Sequence, residues 1–116
     1  MVRLVIVFAL WATPSLADLQ KIGDKKAFLD TLEGRALNIG LFNLQINVMP
    51  NGAIEGSAVG WGITGNWDWK DGLFCREMDW SGYLVSYDCQ LVESDDNKMR
   101  FTSDQGRGTS ADFKLR

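Results

Sequence analysis

The chain contains no histidine. Imidazole is the side chain best suited to general base work near neutral pH and the commonest metal ligand, so its absence removes the usual route to both. Cysteine occurs only twice, too few for a zinc site built on thiolates alone. Proline also occurs twice, as Pro14 and Pro50, and no Pro/Ser-rich linker or low-complexity stretch divides the chain. Basic residues never cluster: 12 of them face 15 acidic ones, for a net charge of -3. Without a basic stripe, nucleic acid is not an expected partner. No long apolar run follows residue 17, so stable membrane insertion of the rest of the chain is not expected.

What is present begins with a leader. Arg3 gives a positive start, Leu4 to Ala12 is an almost unbroken apolar run, and Ser15-Leu16-Ala17 places small residues at the first and third positions before a cut. These are the marks of a secretory signal peptide, and the run is too short to span a bilayer, which takes about 20 residues. Residues 1–17 are expected to be removed, leaving 18–116 as one domain, periplasmic or secreted. Outside the cytosol, Cys75 and Cys89 can be oxidised to a disulfide.

The mature segment opens with one helical signal. Asp24 suits an N-cap, Phe28, Leu29 and Leu32 form an apolar face at one-turn spacing, and Gly34 suits the stop. A helix over about Lys25 to Glu33 is predicted, covering an end or face of the sheet that follows.

After Gly34 the period becomes two. Leu37, Ile39 and Leu41 alternate with smaller or polar residues, as do Leu44, Ile46 and Val48, with a bend or bulge near Gly40 to Asn43. Pro50-Asn51-Gly52, Lys70-Asp71-Gly72 and Ser81-Gly82 read as tight turns. Between them lie strands over 53–59, 66–69, 73–80 and 83–92, with Gly60, Gly62 and Gly65 punctuating Trp61 and Ile63. Strands over 98–103 and 109–115 close the chain, the latter two separated by a polar loop, 104–108. Seven or eight short strands at regular spacing predict a mainly β fold, an antiparallel meander closing into a strongly curved sheet or small barrel, with one N-terminal helix and one disulfide. In the strands flanking Ser81-Gly82, Cys75 and Cys89 fall nearly opposite each other, which suits a disulfide.

Few residues point to chemistry. Trp61, Trp67, Trp69 and Trp80 are many indoles for a domain of this size. They suit a core, with the three neighbouring glycines leaving room for an indole, or an exposed platform for a ligand or partner. Arg76 shares a face with Phe74, Met78 and Trp80, as a snorkelling arginine at a barrel mouth or an anchor for an acidic ligand. Arg107, between two glycines, is the best exposed cation for a partner. Glu55, Glu77 and Asp79 offer strand carboxylates for a hydrolase, but the pattern matches any solvated strand face. Asp95-Asp96-Asn97 lacks the remaining positions of a calcium loop.

The segments Trp67-Asp68-Trp69-Lys70-Asp71-Gly72-Leu73-Phe74-Cys75-Arg76, Cys89 and Arg100-Phe101-Thr102-Ser103-Asp104 resemble a group of small exported bacterial domains of unknown function. The likeness covers most of residues 18–116. It implies export, the β fold and the disulfide, and it assigns no site. Members often carry the name dihydrodipicolinate reductase. Gly60-Trp61-Gly62-Ile63-Thr64-Gly65 does spell a dinucleotide fingerprint, but it lies among strands with no helix to receive a pyrophosphate. The expected function is therefore an exported binding module for a small ligand or another protein, with no catalytic residue, cofactor or metal. A small periplasmic hydrolase and a purely structural envelope protein are the alternatives.

Overall fold

The computed structural model describes residues 18–116; the leader expected over 1–17 lies outside the described residues. In chain order the elements are β1 (Gln20–Lys21), α1 (Lys25–Leu32), β2 (Leu37–Ile39), β3 (Leu44–Val48), β4 (Ala53–Ala58), β5 (Trp61–Lys70), β6 (Leu73–Trp80), β7 (Tyr83–Ser94), β8 (Lys98–Thr102) and β9 (Ser110–Leu115).

Each strand from β2 to β9 pairs antiparallel with the next, and β9 returns to pair with β2 through Leu37↔Leu115 and Asn38↔Lys114. The meander is thus a closed eight-stranded barrel. Closure hides the sheet edges that would otherwise template aggregation. Reciprocal bonds between Ala36 and Arg116, at 2.8 and 3.1 Å, extend that seam by one rung. β1 lies outside the ring, against the end of β7.

The helix forms as its sequence dictates. The Asp24 carboxylate accepts the Ala27 amide at 2.8 Å, and exposed Lys26 and Asp30 pair one turn apart. The helix ends at Leu32, one residue sooner than predicted, because Glu33 already turns left-handed (φ 50°) ahead of Gly34. Arg35 fixes that end: it donates to the carbonyls of Thr31 and Leu32 and to that of Asp96 in the β7–β8 turn.

α1 stoppers one end of the barrel. Phe28, fully buried, meets the rings of Trp67, Trp69 and Phe74 at centroid distances of 5.2–5.3 Å and that of Phe101 at 6.4 Å. Burying such a ring contributes about 1.5–3 kcal/mol from area alone, with more from edge-to-face contacts. The indole N–H of Trp67 donates to Met49 O at 2.8 Å and that of Trp69 to Gly23 O at 3.3 Å. Lys25 stands over the Trp67 ring at 5.2 Å.

Four expectations are corrected. β5 runs unbroken from Trp61 to Lys70 rather than from Asn66. Its Gly65 is a place of close approach, not a break, and the space is taken by backbone rather than by an indole. A Cβ there would strike the Glu77 carbonyl, and one at Gly56 the Gln45 carbonyl. Leu41 leaves the strand, because Gly40–Phe42 coils into a 3-10 turn and Asn43 goes left-handed. The polar loop after β8 is a compact turn over Ser103–Gly106, held by Gly108 N–H to Ser103 O and Ser103 N–H to Thr109 O. β1 was not predicted.

The disulfide joins Cys75 and Cys89 across β6 and β7. Near the Ser81-Gly82 turn the register runs Trp80↔Tyr83 and Met78↔Val85. Beyond it the register becomes Arg76↔Asp88 and Cys75↔Cys89. Ser86 and Tyr87 together face Glu77, a β-bulge in β7. That one extra residue sets the two sulfurs opposite each other and turns Asp88 to the inner face beside Arg76. Without the shift, Cys75 would face Asp88.

Two measurements follow. Gly65→Ala should destabilise by about 2 kcal/mol or more, a fall of roughly 8 °C or more in melting temperature, while Gly62→Ala, where a Cβ meets nothing within 4 Å, should stay within about 0.5 kcal/mol of the parent. Equal effects would contradict the crowding at Gly65. Replacing both cysteines by alanine opens a loop with separation 14 and should cost about 3 kcal/mol, read as a drop of roughly 12–20 °C with the far-UV spectrum retained; a drop under about 5 °C would show that the bridge adds little to the closed ladder.

Candidate functional site

The end of the barrel opposite α1 is open, and its rim is greasy. The turns and strand ends there carry Leu41, Phe42, Val59, Trp61, Trp80, Tyr83 and Leu84, all exposed. Strand register gathers them: Ala58↔Trp61, Ile63↔Trp80 and Trp80↔Tyr83 are directly paired. Trp61, Ile63, Trp80 and Tyr83 therefore share the inner face as it reaches the mouth. Cross-links tie the rim together. Val59 N–H donates to Phe42 O at 3.1 Å, the Trp80 indole N–H reaches Ala58 O at 3.2 Å, and Ser81 N–H meets Gly62 O at 3.1 Å.

Within this rim lies a groove of about 330 Å³ with purely apolar walls: Phe42, Leu44, Val59, Ile63, Trp80 and Val85, with Ile46 and Met78 at its floor. Ile46 and Met78 also bound a second cavity, of about 140 Å³, inside the barrel. Its other walls are aliphatic and aromatic except for Arg76 and Gln90.

Arg76 stands at mid-strand, deeper than the barrel mouth expected from the sequence. Its guanidinium donates to Ser86 O at 2.7 Å. Burial strips water from the charged form and lowers its pKa, and Asp88 across the ladder pulls the other way. Asp88 is itself engaged: its two carboxylate oxygens accept the Asp104 amide at 3.2 and 3.3 Å.

The other sequence-singled residues are scattered. Trp67 is buried and Trp69 half-buried beside Phe28, so both belong to the stopper and neither lines the cavity. Trp61 is 61% exposed and Trp80 36% exposed, both at the rim. The four indoles thus divide between core and surface by barrel end. Arg107 lies in the turn after β8, exposed and 3.4 Å from Asp104. Glu55 and Glu77 are exposed and point away from the inward Ile54, Gly56 and Met78 of their own strands. Asp79 caps the hairpin by accepting the Gly82 amide at 2.7 Å. Asp95 likewise folds its own turn, accepting the amides of Asn97 and Lys98 at 2.8 Å. Gly60 to Gly65 lie in a turn and a strand, and the element that follows is strand β6 rather than a helix. Among the described residues, no helix is long and apolar enough to cross a membrane, and no group of three or more carboxylate, thiol or imidazole side chains is placed to hold a metal.

No family model, curated protein or solved structure matches the chain.

Sequence reasoning missed Phe42, Val59, Tyr83 and Leu84. One signal was available. The other two-residue turns are Asp71-Gly72 and Ser81-Gly82, whose first residues tolerate positive φ, but the β4–β5 turn is Val59-Gly60. Val59 has φ 53°, the left-handed region that a β-branched side chain avoids.

Acrylamide quenching should resolve two tryptophan populations, with Trp61→Phe removing most of the accessible emission and Trp67→Phe almost none of it. Uniform quenching would contradict the division.

Proposed function

We propose that this protein is an exported, non-catalytic binding module whose open barrel end takes a small apolar ligand or the apolar part of a larger one. Export rests on the leader pattern over 1–17 and on the disulfide, a bond that persists in oxidising compartments. A concave apolar pocket with a few polar groups at its floor is the usual form of a small-molecule site. The absence of a basic cluster turns the reading away from nucleic acid.

The observation that carries it is Val59. Holding a β-branched residue in left-handed geometry costs about 1–2 kcal/mol, and asparagine or glycine would fill the turn without that strain. The folded state gains no core contact in return, because Val59 is 58% exposed. What the valine does supply is apolar wall at the mouth. Strain kept at a surface position is characteristic of functional sites.

Val59→Asn separates stability from binding. It should raise stability by about 1 kcal/mol, a melting temperature higher by roughly 4–8 °C, and weaken binding of the neutral fluorophore N-phenyl-1-naphthylamine several-fold. A variant that is stabilised yet binds the fluorophore as well as the parent would remove the case for the mouth.

A further inference from the structure

We propose that the ligand is a singly charged amphiphile, a monocarboxylate on an unbranched alkyl chain of about eight to ten carbons, with its head on Arg76 and its tail running up to the mouth. The proposal rests on the reading of the barrel as a ligand cup and names what the cup selects.

Arg76 carries five N–H donors in a planar fork. Its bond to Ser86 O uses one nitrogen. Among the described residues, no carboxylate lies within 4.0 Å of it. Arg76 is half-buried on the cavity wall, and its remaining donors are not buried unpaired but open to solvent, where an incoming anion can reach them. Asp88, directly across the ladder, offsets part of the guanidinium charge but makes no ion pair with Arg76, its oxygens accepting the Asp104 amide instead. Gln90 is the second polar group on the cavity wall and can add a donor beside the fork. A carboxylate fits a guanidinium through two parallel bonds.

The rest of the path is apolar. From Arg76 the inner face of β6 passes Met78 and reaches Trp80. The four residue steps from Arg76 to Trp80 span about 13 Å of strand, which an extended chain of about eight to ten carbons covers. The mouth groove has no polar wall to receive a second head group. The nearby charge of Asp88 favours a head with one negative charge over a dianion such as a phosphate monoester.

The test uses the disulfide-bonded protein spanning 18–116 and three ligands with the same tail. Decanoate, decanol and decylamine are titrated separately against bound N-phenyl-1-naphthylamine. Decanoate should bind about tenfold more tightly than decanol, the scale of one charge-assisted hydrogen-bonded pair, and decylamine more weakly than either. Arg76→Gln should bring decanoate down to the affinity of decanol and leave decanol unchanged, while Arg76→Lys should keep part of the preference. Equal affinity of the parent protein for decanoate and decanol, or a preference that survives in Arg76→Gln, would overturn the carboxylate assignment while leaving the cup intact. Failure of all three to bind would overturn the cup and the assignment together. Should Arg76→Gln not fold, the ligand series on the parent protein decides the matter alone.

Discussion

One phenyl ring decides what kind of barrel this is. Phe28 packs against the rings of Trp67, Trp69, Phe74 and Phe101, and through them α1 is fastened to strands on both sides of the ring closure. Those aromatics supply a large share of the buried apolar surface in a domain small enough to need it. They also consume the lower lumen. What is left of the interior is the short stretch above them, walled by aliphatic side chains, Phe74, Phe101, Phe113, Arg76 and Gln90, with the apolar groove at the mouth beyond it.

A second constraint is the extra residue at Ser86-Tyr87. In a regular hairpin, every residue of β7 beyond it would face the opposite way. The bulge keeps Cys89 outside, where it reaches Cys75, and Asp88 inside, across from Arg76. The covalent link and the polar spot in the lumen therefore share one local cause. This is the usual work of bulges, which redirect side chains near functional surfaces.

Much of the fold could be read from residue pattern. Alternation marked the strands, and Asn51-Gly52, Asp71-Gly72 and Ser81-Gly82 marked the hairpins, because those residues accept the backbone angles such turns require. Cysteine spacing about the last of these gave the disulfide. Closure was legible only as one of two options, since the pairing of β2 with β9 joins the two ends of the meander and leaves no local trace. β1 is two residues long and has no period to detect. Gly65 read as an interruption because sequence shows a missing side chain but not the neighbouring carbonyl that needs its place. The site was harder still. Trp61 and Trp67 look alike in sequence, and which is exposed depends on which end α1 covers, a fact settled by packing alone.

The stopper has a further consequence. A tube closed at its base cannot serve as a conduit, so cargo would have to come and go through a single doorway. Residence time would then be set by how fast the hairpins around that doorway breathe, and the backbone bond from Val59 to Phe42 across it is one that such opening would have to break.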